Sequence, residues 1–222
     1  MNKAIFYKEW IKTQRVVILL GVLLVALIGY MWLTVSSDIR TYGIIEIWGA
    51  TVARDYSILP STVYLYPALC GLLLGALQFT SEIVNKRLKL TLHLPMNQMR
   101  IMALHFTYGV AVVLTLSILL FAVSLLILSS YFPREIIFMN IPTIAANIML
   151  ALSLYFISAY VVIEPVWRRR VGALLIGAGA AWAFYEKPTP NMCGLMFLLL
   201  ITSLTIVAAY LSLSRFKDGA QN

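Results

Sequence analysis

Residues 16–33 read VVILLGVLLVALIGYMWL, an uncharged run from Val16 to Leu33. As a helix rising 1.5 Å per residue it extends ~27 Å, close to the ~30 Å hydrocarbon core of a bilayer. Positive charges precede it, as they precede a signal peptide's apolar core. The residues that follow, Thr34-Val35-Ser36-Ser37, offer no small-x-small cleavage site, so the run is expected to stay as a first spanning helix over 16–35.

The rest of the composition agrees with that run. Of 222 residues 61% are hydrophobic and 12% are charged, against about 45–50% and about 25% in soluble domains. Mean hydropathy is +0.89. Such a surplus of apolar surface has lipid as its natural counterpart. An all-α integral membrane protein is therefore expected, one domain over 1–222, with no internal repeat and no soluble module.

On the N-terminal side lies MNKAIFYKEWIKTQR. At ~100° per residue Phe6, Trp10 and Val17 fall on one side, and Lys8, Lys12 and Arg15 on the other. This spacing predicts an amphipathic helix over 1–15 lying in the interface, with basic heads on anionic lipid and aromatic rings in the acyl boundary.

On the other side the chain alternates between apolar runs and short polar breaks. An external segment over 36–60 mixes Asp38, Arg40, Glu46, Arg54 and Asp55 with Ile44, Ile45, Ile47 and Trp48, which suits a partly helical lid or a gate near the outer interface. A second span covers 61–80. Its Pro67 is expected to bend the helix, and Gly71 with Gly75 permits a close helix neighbour. A third covers 101–132, longer than the bilayer is thick, so its inner end is expected to project as a stalk. A fourth covers 136–163, an inner turn 164–170, a fifth span 171–185, an outer loop 186–191, and a sixth span 192–214. This layout places both termini in the cytoplasm. Of the 17 lysines and arginines, Arg40, Arg54, Arg134 and Lys187 fall outside and the other 13 fall inside, as the positive-inside rule requires. The net charge of +8 is then a matter of orientation, and nucleic acid is not an expected partner.

The motifs of common chemistry are missing. No G-x-x-x-x-G-K-[ST] is present, so ATP hydrolysis is not expected of this chain. There is no G-x-S-x-G, no H-E-x-x-H and no C-x-x-C. Cys70 and Cys193 sit in apolar runs. His93 and His105 read as solvated loop and stalk residues. Glu82 and Glu164 read as inner-end residues that water or headgroups reach. The expectation is no catalytic residue, no metal and no cofactor in this chain. A carrier driven by an ion gradient usually keeps a carboxylate at midplane, and the apolar runs hold none, which points to an outside energy source.

The break between the second and third spans is different in kind. SEIVNKRLKLTLHLPMNQMR, residues 81–100, carries Glu82, Lys86, Arg87, Lys89, His93 and Arg100. It also carries Leu88, Leu90, Leu92 and Leu94, which a solvated loop does not need. Leucines that fill a groove and cations that pair with acids or headgroups suit a cytoplasmic docking loop.

The interfacial N-terminal segment, the six-span layout and this loop together resemble the membrane subunit of an ABC-2 type ABC transporter. That family's loop has an acid, then L-E-x-L-L-x-x-P-x-x-R. Glu82 stands where the acid would, Leu90-Thr91-Leu92-His93-Leu94-Pro95 resembles the core, Arg100 resembles the arginine, and His105 stands near a frequent lysine. Thr91 departs from the core's acid, and the outer loop 186–191 is shorter than the family's re-entrant connection. The resemblance implies a permease, an exporter of the bacterial inner membrane, coupled through residues 81–100 to separate ATPase subunits that hold the ATP and magnesium. It also implies a second permease copy or a different permease chain. The alternative is a non-catalytic membrane scaffold or assembly factor that docks another cytoplasmic partner on the same loop.

Overall fold

The computed structural model describes residues 2–54, 59–84, 98–186 and 192–218. Among them eight helices follow one another: α1 (Asn2–Tyr42), α2 (Ile44–Arg54), α3 (Ser61–Val84), α4 (Gln98–Leu128), α5 (Arg134–Met139), α6 (Ile141–Ile163), α7 (Trp167–Glu186) and α8 (Met192–Asp218). No strand occurs among the described residues.

Among the described residues five stretches are long and apolar enough to cross a membrane: Lys3–Tyr42, Ser61–Val84, Arg100–Leu128, Arg134–Ile163 and Gly194–Ser212. The fold is thus all-α and consistent with a membrane protein, as expected. The expected fifth span is not among these stretches, because α7 opens on Arg168-Arg169-Arg170 and continues through glycine and alanine. Large apolar side chains lie exposed along the helices, for example Ile18, Val22 and Val25 on α1 and Leu199 and Leu200 on α8. A surface of this kind calls for lipid rather than water.

α6 is the central helix. It packs on α3, α4, α7 and α8, and buried residues occur along its length from Thr143 to Ile163. Apolar character all round suits a helix with neighbours on every side. Its tightest neighbour is α3, and glycine explains the closeness. A Cβ on Gly71 would strike the Ala151 carbonyl oxygen, and one on Gly75 would strike the Tyr155 carbonyl oxygen and the Ser158 hydroxyl. The Gly71/Gly75 pair thus serves packing within the chain, the small-residue route to helix association in lipid. α3 runs unbroken through Pro67.

Several boundaries differ from those read in the sequence. The helix expected over 1–15 is no separate element, since α1 continues without a break from Asn2 through the first span to Tyr42. No Gly or Pro interrupts residues 2–20, so nothing forces a corner. Gly43, with φ +80°, makes the turn into α2, a backbone conformation that L side chains resist. The stretch 136–163 is two helices. α5 stops at Asn140, whose side-chain amide donates to the Ile136 carbonyl at 3.0 Å, and Pro142 sits in the first turn of α6. The inner turn 164–170 is shorter than expected, because Trp167 to Arg170 form the first turn of α7.

Candidate functional site: a buried charged junction

Three helix faces meet at the end of the bundle from which residues 85–97 leave. On α1, Glu9, Lys12 and Thr13 share one face by the i, i+3, i+4 rule. On α3, Gln78 and Glu82 are one turn apart. On α4, His105 and Tyr108 are three apart. Glu9, Thr13, Gln78, Glu82, His105 and Tyr108 are all buried.

Lys12 is the hub. Its Nζ lies 2.7 Å from Glu9 Oε2 and 3.2 Å from Glu82 Oε1, and its side chain is 12% exposed. Lys8 Nζ reaches the same Glu82 oxygen at 3.0 Å from a partly exposed position. Gln78 Nε2 donates to Glu9 Oε2 at 3.0 Å and to the His105 carbonyl at 2.9 Å. Gln78 Oε1 accepts from the Tyr155 hydroxyl of α6 at 2.9 Å. The hydroxyls of Thr13 and Tyr108 are 2.6 Å apart. Phe6 meets the Tyr108 ring edge-on at 5.8 Å.

Two carboxylates and two ammonium groups nearly cancel, which is what burial of charge requires. Four helices share the network, so it fixes their mutual register as well as their contact. His105 Nδ1 is 2.9 Å from the Ile101 carbonyl, and Nε2 lies 3.4 Å from Glu9 Oε1. That second contact is attractive when Nε2 carries a proton. Glu82 Oε2 has no hydrogen-bond partner among the described residues.

Glu9, Glu82 and His105 each offer one ligand atom within 4.8 Å of the others, a spacing that can hold a metal ion. Lys12 already supplies a positive charge between the two carboxylates, and a divalent ion there would have to displace it. The described geometry is that of an ion-paired clamp.

Several sequence-based readings are corrected here. Glu82 is not at a water-reached end but fully buried, and so is Glu164. His105 is not a solvated stalk residue but 3% exposed. Lys12 turns inward to the two glutamates instead of outward to headgroups, and Phe6 packs on Tyr108 instead of facing lipid alone. Trp10 and Arg15 do remain exposed, and so does Arg100 at the start of α4. Lys86, Arg87, Leu88, Leu90, Leu92, His93, Leu94 and Pro95 lie outside the described residues. Glu9, Thr13, Gln78, Tyr108 and Tyr155 were missed. Their signal was a lone acid among N-terminal lysines, and an amide one turn before Glu82 in an apolar helix.

No protein-family model, no curated protein and no solved structure matches this chain.

Proposed function

We propose that the chain is the membrane permease subunit of an ABC-2 type, ATP-driven transporter, an exporter of the bacterial inner membrane. A separate ATPase, holding the ATP and magnesium, grips residues 81–100. α7 is the fifth of six crossings, and both termini are cytoplasmic. A second permease chain, identical or different, completes the path.

The observation that carries this reading is the buried junction at the base of that loop. Glu82, the second residue of that segment, sits in the last turn of α3, and His105 lies in α4, just after the segment. Both are tied to α1 through Glu9 and Lys12. A force on the loop therefore acts on three helices held together, and is not lost in fraying of two helix ends. α4, with 31 residues, is a lever of ~46 Å. Coupling between distant sites needs such a stiff, packed element.

The test is purification of the full chain from its native membrane, followed by ATP turnover of whatever co-purifies. An ATPase whose turnover depends on the chain is expected. Replacing Leu90, Leu92 and Leu94 with serine should abolish that dependence while the chain remains in the membrane. Unchanged turnover with the serine variant would overturn the reading. A partner without ATPase activity would favour the scaffold.

A further inference from the structure

α7 and α8 both pack on α6 and make little contact with each other. The gap between them is a crevice of about 320 Å³, lined among others by Ile157, Ala173, Ile176, Leu204 and Thr205, with Arg169 also on its wall. That volume is at the lower end of the range for ligand clefts.

The crevice joins two chemistries. Its walls are almost wholly apolar. Its charged member, Arg169, belongs to the first turn of α7, where the helix N-terminus adds partial positive charge. Arg168 beside it is exposed, and Arg170 is held by the Glu164 carbonyl. Arg169 is 49% exposed and its ion-pair contact among the described residues, to Glu164 Oε1, is long at 3.7 Å. That contact fixes the guanidinium near the crevice yet engages few of its N–H donors. A planar fork of donors at the end of an apolar slot suits a phosphate with a hydrocarbon tail.

We propose that this crevice binds one anionic phospholipid of the surrounding membrane, an acyl chain between α7 and α8 and the headgroup phosphate on Arg169. Charge selects this occupant. A two-fold pair built through this face would set Arg168–Arg170 of each copy against the same run in the other. A zwitterionic lipid fills the slot but gains less from the arginine cluster. Basic pockets between helices on the cytoplasmic side are where anionic headgroups are held. The proposal depends on the chain lying in a membrane, and does not depend on coupling to an ATPase.

Native mass spectrometry of the purified full chain tests it, with equal amounts of phosphatidylglycerol and phosphatidylcholine of identical acyl chains. Wild type should retain the anionic lipid in preference by about fivefold, the factor one surface cation gives to an anionic headgroup. Arg169→Gln should bring the ratio close to one. Ala173→Trp should fill the slot and lower retention of both lipids. Arg134→Gln, an equal loss of charge at the exposed start of α5, should keep the preference. Circular dichroism and gel filtration check that each variant folds. Should the tryptophan variant not fold, Arg169→Gln decides alone, since its side chain is half exposed. Equal retention by wild type would overturn the proposal, as would a preference that survives Arg169→Gln. A protein chain found in the crevice in place of lipid would overturn it too.

Discussion

Lys12 shows how one side chain can organise an end of this molecule. Its ammonium bridges a carboxylate on its own helix and one on α3, and removing it leaves Glu9 and Glu82 buried with Lys8 as the remaining lysine partner of Glu82. Breaking a buried ion pair on one side costs about 3–5 kcal/mol. Lys12→Met should therefore lower the thermal midpoint of the detergent-solubilised chain markedly, whereas Lys3→Met, at an exposed position, should leave it unchanged. Equal midpoints for the two variants would show that the junction contributes nothing. Gln78→Leu should also destabilise, because Glu9, His105 and Tyr155 all lose a partner on Gln78, at about 1–3 kcal/mol for each buried polar group left unsatisfied. The junction was only partly legible in the sequence. Glu82 stood out because it follows an apolar run and precedes a basic one. Glu9 did not, since helical periodicity places residues around their own axis and cannot say which neighbour a face will meet. A run of lysines beside aromatic rings reads as an interface helix until a buried acid on another helix draws one lysine inward.

At the scale of elements, the α3–α6 contact is the one most exposed to a single change. Gly71→Leu should force the two backbones apart at a cost of about 1–3 kcal/mol or more, because a Cβ there already meets the Ala151 carbonyl. Gly29→Ala in α1 has nothing within 4 Å to strike, and should be neutral or stabilising by up to ~1 kcal/mol. Unfolding midpoints in detergent read both. A Gly71→Leu midpoint equal to wild type would mean that α3 and α6 are not in close contact. This part of the fold was legible, since Gly71 and Gly75 lie one turn apart on an apolar helix. The helix existing at each apolar run was legible too, because length and apolarity are local properties. The ends were not. α1 runs on past its apolar stretch in both directions, and Asn140 divides what reads as one span, since caps and corners depend on single side chains and on neighbours far away in sequence.

For the whole molecule, the proposed orientation rests on the placement of positive charge. If α7 crosses, residue 187 is external and residue 221 internal. Single cysteines at those positions, in a chain with Cys70 and Cys193 replaced, should react with an impermeant maleimide from opposite sides. The reverse pattern, position 187 labelled from the cytoplasmic side and position 221 from outside, would make α7 a surface helix and reduce the crossings to five. The proposed coupling needs one thing above all: the segment with Leu90, Leu92 and Leu94 must face the compartment where ATP is hydrolysed. A single cysteine at position 92 in the same background measures this directly. Reaction with the impermeant reagent in inverted vesicles, and none in intact cells, is the expected result. Reaction in intact cells would put the leucine-bearing loop outside and contradict ATP-driven coupling through it.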